Sequence, residues 1–419
     1  MSRRRSQPQN ARELAFQCLL DWEAGGDYYA DDIFARKSKL AALSHHDRGF
    51  ARELFYGTIR NLSAIDFILG IFLTRQTSPQ ALTALHLGVY QLFITHTAEH
   101  AAINESVNLA PEYARGFVNA VLRKALSERP AVREKLAAQP PGVRLSHPPG
   151  LIKRWEAAFG KENAIAIAEW DNTAAEVFLR VNTLRCTPEQ LLALAPRLKP
   201  VASHPLVFKC EGPLPTSEAA GCFYIQDPGT LAAPELLDPK PGERILDACA
   251  APGGKASYMA ALMQNQGEIV ATDSSSRRIE SLQQNLNSLG ITIATVHEHD
   301  WEKGPGKFAG QQFDAILADV PCSNTGVMRR RIDVRWRLKP NIFAENARKQ
   351  IAIVEGLLPL LKQGGRLVYS TCSLEAEENE NVVQHLLAEH SDLTLTNGVR
   401  RLPHVDACDG AYAARLERK

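Results

Sequence analysis

Two cysteines occupy positions from which they could act together. Asp319-Val320-Pro321-Cys322-Ser323 follows one apolar run, residues 313–319, and Ser370-Thr371-Cys372-Ser373 follows another, residues 366–371. If both runs are strands of one parallel sheet, both thiols emerge at the same edge. Paired thiols suit covalent catalysis on a pyrimidine. Carbon 5 of cytosine is a poor nucleophile, but a thiolate bonded to carbon 6 makes carbon 5 enamine-like and able to take a methyl group. Asp319 is placed to hydrogen-bond the N3/N4 edge of such a base. A second thiol could take part when the proton on carbon 5 is removed and the first thiol leaves. A single free cysteine more often just fills a core; the pairing carries the reading. Cys249 is better read as packing, and Cys18, Cys186, Cys210, Cys222 and Cys408 carry no chemical signal.

A cofactor loop lies upstream. Asp247-Ala248-Cys249-Ala250-Ala251-Pro252-Gly253-Gly254-Lys255 separates an expected strand at 244–247 from a helix starting near Lys255. Two glycines let the backbone approach a ligand, and the helix N-terminus can receive it. Asp273, at the end of the next strand, can accept hydrogen bonds from ribose hydroxyls. The loop is neither G-x-G-x-x-G nor a P-loop, so a nucleoside-bearing cofactor without a pyrophosphate fits best.

These groups need a scaffold. From residue 236 onward strands alternate with helices: 244–247, 268–271, 291–296, 313–319 and 366–371, with a helix at 341–362 that Gly364-Gly365 would stop. That alternation predicts a parallel, doubly wound α/β domain over 236–419. Residues 146–235 read as a small α+β module, with helices at 151–159 and 162–170 and strands at 176–181, 206–209 and 223–225. Residues 1–140 read as all-α, with helical periodicity at 11–20, 50–59 and 82–94. The proline pairs at 140–141 and 148–149 mark the edge between these domains.

Composition excludes other classes. The 419 residues carry a net charge of +1, so any case for nucleic acid must rest on local patches. The start Met1-Ser2-Arg3-Arg4-Arg5 is basic, but no apolar stretch follows it, which argues against secretion. No run is long enough to span a bilayer. The eight cysteines lack a framework spacing and are expected to be reduced in a cytoplasmic protein.

The three motifs Asp247–Lys255, Asp319-Val320-Pro321-Cys322-Ser323 and Thr371-Cys372-Ser373 resemble the RNA cytosine-C5 methyltransferase family of Sun type. Asn104-Glu105-Ser106-Val107 and Gly116-Phe117-Val118-Asn119-Ala120-Val121-Leu122-Arg123 resemble the NusB-like domain of its branch acting on bacterial 16S ribosomal RNA. The resemblance spans essentially the whole chain. It implies a NusB-like helical domain, the small module and a Rossmann-like domain that binds S-adenosylmethionine. It implies Cys372 as nucleophile, Cys322 as the group aiding release, and Lys255 and Asp319 facing the target base. Cys249, Ala250, Ala251, Pro252, Gly253, Gly254, Lys255, Asp273, Asp300 and Asp319 would contact the cofactor. The implied partner is RNA, most of all 16S rRNA; DNA and membrane are not expected, because the DNA enzymes use the Pro-Cys thiol alone. Asn324 replaces the glycine usual in the family, and Asp409-Gly410-Ala411-Tyr412 replaces a more aromatic pattern.

Other features are weighed against these. Arg329, Arg330, Arg331, Arg335, Arg337 and Lys339 would suit phosphate contacts, with Trp336 among them to stack on a base. His297-Glu298-His299-Asp300 lacks a further ligand pair, so no metal is expected. His45-His46-Asp47 reads as a helix start, and residues 375–381 as a solvated acidic turn. Two rival functions remain at this stage. An amino-group methyltransferase would leave Cys372 without a role, and a non-catalytic RNA-binding factor would not need both thiols, Asp319 and Lys255. Another RNA, such as tRNA, is the alternative substrate.

Overall fold

The computed structural model describes residues 7–26 and 28–419; the basic stretch at residues 1–5 lies outside them. The described chain forms two compact units. One comprises residues up to Thr173 together with Met328–Arg337, and the other comprises Ala174–Val327 with Leu338–Lys419.

The first unit is helical. Ala11–Glu23 starts where the Asn10 side chain accepts the Glu13 amide at 2.9 Å, and His45–Arg60 starts where Ser44 accepts the Asp47 amide. His45-His46-Asp47 is thus the helix start expected. Pro79–Phe93 is buried along almost its whole length, because it runs through the middle of the bundle. Leu14, Leu54, Phe55, Ile59, Ile65, Leu85 and Leu122 meet in the core, each worth about 1.5–3 kcal/mol of apolar burial. The proline pairs do not leave an open linker. Pro141 and Pro149 occupy first-turn positions of the helices Pro141–Arg144 and Pro149–Phe159, where the missing N–H costs nothing. Pro149–Phe159 and Lys161–Asp171 group with this helical unit.

Met328–Arg337 belongs to the same unit and corrects the reading of the basic run as a phosphate-binding loop. Ile332 lies in the helical core. Trp336, partly buried and packed against that core, donates its indole N–H to the Ile59 carbonyl at 3.0 Å. Arg335 is fully buried and donates to Asn172 Oδ1 at 2.8 Å and to the Ser146 carbonyl at 3.1 Å. Arg329 is buried over the Trp170 ring, and Arg337 pairs with Asp333 and the Gly26 carbonyl. Of the six bases only Arg331 and Lys339 are exposed. Burial, not charge count, decides the role of Arg329 and Arg335.

The second unit contains two sheets. Strands β1 (Val177–Val181), β2 (Lys199–Val201), β3 (His204–Cys210) and β4 (Phe223–Ile225) form an antiparallel sheet in the order β2-β3-β1-β4, the module expected from its short strands. The main sheet uses β5 (Arg244–Asp247), β6 (Glu268–Asp273), β7 (Ala294–Glu298), β8 (Phe313–Asp319), β9 (Leu361–Thr371), β10 (Leu393–Arg401) and β11 (Ala411–Arg418). Its order is β10-β11-β9-β8-β5-β6-β7. The neighbours from β9 through β7 are parallel, while β11 runs antiparallel between β9 and β10. The sheet is therefore mixed rather than wholly parallel. The two C-terminal strands escaped the sequence reading because their charged residues hide the alternation.

One helix boundary also moves. The helix over Ile342–Leu357 ends short of Pro359, which cannot donate into a continuing helix. Gly364, at φ +72°, lies in the irregular start of β9 and is not a helix stop.

Candidate active site

Strand order reverses between β8 and β5, and the crevice at their carboxyl ends is where ligands bind in such sheets. Asp247 ends β5 and Asp319 ends β8. The loop after β5 is tied down by its own backbone: the Ala250 amide donates to Thr272 O at 2.8 Å, and Gly253 N–H to Ala250 O at 2.7 Å. The Ala251–Pro252 peptide is cis. Gly254 opens the helix Gly254–Leu262, and a Cβ there would come within 2.9 Å of the Tyr224 ring. The β4 end therefore roofs this loop, and only a glycine fits beneath it. Arg180 of β1 reinforces the roof, with bonds of 2.7 Å to Gln226 and 2.8 Å to Ser257. Neither Tyr224 nor Arg180 stood out in the sequence, because their partners are remote along the chain.

Asp247, Lys255, Asp273 and Asp319 meet here. Lys255 Nζ donates to Asp319 Oδ2 at 2.6 Å, and the Ser370 hydroxyl donates to Asp319 Oδ1 at 2.8 Å. Burial alone would lower the Lys255 pKa, but the charge and hydrogen bond of Asp319 outweigh it and hold the ammonium above its ordinary value. Cys372 and Asp247 are close enough to add to that effect. Asp273 is buried; its Oδ1 pairs with Arg278 at 2.9 Å and accepts the Ser275 amide. Asp300 caps the short helix Trp301–Lys303 and pairs with Lys303 at 2.9 Å. Cys249 sits in the loop with its thiol pushed far up by burial.

The thiols converge. Cys322 Sγ and Cys372 Sγ are 3.4 Å apart. The hydrogen bond to Cys372, with burial, drives the Cys322 thiol well above its usual range, which keeps it protonated. Asn324 has φ +60°, in the left-handed region that asparagine tolerates, so the loop keeps the turn a glycine would make. Its amide does more than a glycine could. Nδ2 donates to the Cys322 carbonyl at 2.9 Å, and Oδ1 accepts from Cys372 Sγ at 3.2 Å. Gly326 and Gly410 bring three loops into backbone contact: Gly326 N–H donates to Cys372 O, and Gly410 N–H to Gly326 O. A Cβ on Gly326 would meet Cys372 O at 2.8 Å.

The turn at 375–381 is solvated only in part. Glu375, Glu378 and Asn379 are buried. Asn379 accepts from the Thr371 hydroxyl and donates to Ser373 O at 2.9 Å, so it shapes the loop that carries Cys372. The missed signal was Asn379 itself, a residue that caps and turns rather than charges a surface.

A cofactor must suit this lining. Asp247 has both carboxylate oxygens buried without a hydrogen-bond partner, and burial with the charge of Asp319 pushes its pKa up to about 8. Three carboxylates (Asp247, Asp273 and Asp319) gather beside a loop that lacks the glycine spacing for a pyrophosphate. A ligand with a ribose and positive charge satisfies them, which is the profile of S-adenosylmethionine, with its ammonium and sulfonium. The fold and the crevice thus define a methyltransferase that uses a nucleoside-bearing donor.

Comparison with known proteins narrows the class. The family model for the 16S rRNA methyltransferase RsmB/F matches residues 234–417, that for the NusB family matches 9–127, and that for the RsmF/B-like ferredoxin-like domain matches 147–196. The chain is 32% identical to a probable ribosomal RNA small subunit methyltransferase B of Bacillus subtilis, over 98% of this chain and 99% of the other. It is 33% identical, with the same coverage, to ribosomal RNA small subunit methyltransferase B of Escherichia coli. The crystal structure of a methyltransferase homolog protein from Pyrococcus horikoshii is 31% identical, with a TM-score of 0.59, covering 67% of this chain and 98% of its own. The chain belongs to the 16S rRNA methyltransferase RsmB/F family. It is a methyltransferase of rRNA that depends on S-adenosylmethionine, built as a NusB domain, a ferredoxin-like module and a Rossmann-like domain. Among the described residues, no helix is long and apolar enough to cross a membrane.

Proposed function

We propose that the enzyme methylates carbon 5 of a cytosine in 16S rRNA through a covalent bond between Cys372 and carbon 6. The observation that carries this reading is the pair of thiols 3.4 Å apart, beside the Lys255–Asp319 ion pair. S-adenosylmethionine, when bound, supplies an electrophilic methyl group. Asp247, Asp273, Asp300, Asp319 and the loop from Cys249 through Lys255 would hold it.

The protein's own groups do the rest. Cys372 loses its proton to solvent before it attacks, with the Lys255 ammonium nearby. The thiolate electron pair forms the S–C6 bond, and the ring π electrons move to carbon 5, which takes the methyl. Asp319 hydrogen-bonds the N3/N4 edge of the base and steers that polarisation. Cys322 stays a thiol and does not compete as nucleophile. In the release step a base from solvent takes the carbon 5 proton. Its bonding pair restores the C5=C6 double bond, and the S–C6 pair returns to Cys372. Cys322 lies within reach of that sulfur to assist its departure.

The target base must be flipped out or single-stranded to reach the thiols. Residues 1–140 and 146–235 would grip the RNA. Keeping thiols at both positions favours RNA over DNA, and the reduced pair suits the cytoplasm.

A trapping experiment tests this reading. Cys322→Ala with S-adenosylmethionine and small-subunit rRNA is expected to leave a protein–RNA adduct on a denaturing gel. Cys322→Ala/Cys372→Ala is expected to leave none. Active wild type with no adduct from Cys322→Ala would show the thiol roles to be misassigned. Loss of both adduct and wild-type methylation would point to another RNA, such as tRNA, or to a non-catalytic RNA-binding role.

A further inference from the structure

Glu378 is fully buried, and the donors that surround it come from both thiol-bearing loops. Its Oε1 accepts the Ser323 amide at 2.8 Å and Asn346 Nδ2 at 2.7 Å, with Gln350 Nε2 at 3.5 Å. Its Oε2 accepts the hydroxyls of Ser323 and Ser373, the latter at 2.5 Å. Ser323 follows Cys322 and Ser373 follows Cys372. The Ser323 and Ser373 hydroxyls also lie 3.2 Å from each other. The Glu378 carbonyl accepts from the Tyr369 hydroxyl, which anchors the residue to β9.

We propose that Glu378 is a positioning residue that clamps the Cys322 and Cys372 loops together and so sets the distance between the two thiols. A carboxylate buried this deeply is costly unless its lone pairs are filled. Here they are filled by uncharged donors, and those from the two thiol loops add a side-chain link to the backbone bond from Gly326 N–H to Cys372 O. The carboxylate is one bond network from both sulfurs but touches neither. Its effect on catalysis therefore runs through geometry. Misplacing reacting groups by about 1 Å can cost on the order of a hundred-fold in rate. This inference rests on the two-thiol reading above only for its consequence in catalysis; the clamp itself can be tested without it.

The test is oxidant-driven crosslinking of Cys322 to Cys372 in the full-length protein. Diamide accepts the two electrons and two protons that the thiols lose as the S–S bond forms, and mass spectrometry reads the crosslinked peptide. Wild type is expected to crosslink fast. Glu378→Ala is expected to slow it about ten-fold or more, because the thiols lose their mutual effective concentration. Glu378→Gln is expected to stay within about three-fold of wild type, since its amide can donate where Oε2 accepted and the serine hydroxyls can turn round to receive it. Should Glu378→Ala not fold, Ser323→Ala/Ser373→Ala removes the same hydroxyl links at smaller cost and is expected to slow crosslinking likewise. Crosslinking at the wild-type rate in the folded variants would overturn the clamp.

Methylation kinetics separate the two layers. With the clamp lost, kcat per folded active site, counted by titration with S-adenosylmethionine, is expected to fall about a hundred-fold with KM for RNA nearly unchanged; a fall that vanishes on that correction would be unfolding and would overturn the catalytic consequence. Slow crosslinking with unchanged kcat would uphold the clamp and overturn the two-thiol chemistry.

Discussion

Asp247 shows what a single residue can store. Its buried, unpartnered carboxyl has a folded pKa near 8 against a reference value of 3.8. The folded state therefore holds the proton more tightly than the unfolded chain. Its contribution to stability is fully present below about pH 4 and is lost as pH rises through 8. Asp247→Asn is expected to melt higher than wild type in the absence of cofactor, by a margin that widens from pH 5 to pH 8.5. The same variant is expected to bind S-adenosylmethionine at least about ten-fold more weakly, by loss of one charged hydrogen bond. Differential scanning fluorimetry and calorimetric titration measure the two effects; a pH-independent margin would show that Asp247 is not the titrating group. Asn324 makes a second residue-scale case. Asn324→Gly keeps the φ of +60° but removes the amide bonds to Cys372 and Cys322. It is expected to leave the melting temperature nearly unchanged and to lower kcat about three- to ten-fold, the worth of about one hydrogen bond. The loop's tolerance of asparagine was legible in the sequence. The bond to Cys372 was not, because it joins residues 324 and 372.

At the scale of elements, the helical unit contains a buried charge relay that titrates. His86, on the central helix Pro79–Phe93, lies 2.8 Å from Glu23 and 3.0 Å from Asp66. Burial opposes its charge, but the hydrogen bonds from Asp66 and Glu23 prevail and raise its pKa to about 9. The gain is fully present below pH 6.5 and disappears as pH rises through 9. With Asp66 half exposed, that gain is about 1–2 kcal/mol after solvent screening. His86→Gln is expected to flatten the fall in stability between pH 7 and pH 9.5, read by chemical denaturation. A curve as steep as that of wild type would place the titration elsewhere. The strands that carry the site were legible as elements: residues 244–247 and 313–319 are strands in the structure as in the sequence, since apolar runs of that length are buried on both faces. Strands β10 and β11 were not. Their pattern mixes Arg, Glu and Thr with apolar residues, and pairing with β9, not propensity, makes them strands.

For the whole molecule, the main surprise is the segment Met328–Arg337, which leaves the Cys322 loop and folds with the helical unit. Buried Arg335 satisfies carbonyls and an amide that would otherwise be orphaned. Arg335→Met keeps most of its volume but strands those acceptors, and is expected to cost about 3–5 kcal/mol. Thermal and urea denaturation of the full chain check this. An RNA-binding loss at unchanged stability would instead restore the phosphate-contact reading. Only Arg331 and Lys339 keep exposed charge there, so their substitution is expected to reduce the salt dependence of RNA binding slightly and stability not at all.

The sequence by itself determined the scaffold and the groups proposed to do the chemistry. Two thiols after two apolar runs, an Asp-x-Pro, a glycine pair and a downstream acid are local patterns, and each is set by residues near one another in the chain. The three-part architecture was legible for the same reason, because hydrophobic periodicity is a local property. Only the tertiary structure decided which charged residues are buried. Glu378 gathers donors from residues 323, 346, 350 and 373, and Arg335 gathers acceptors from 146 and 172. A charge can leave water only where such remote partners converge, and that convergence exists only once the chain has folded.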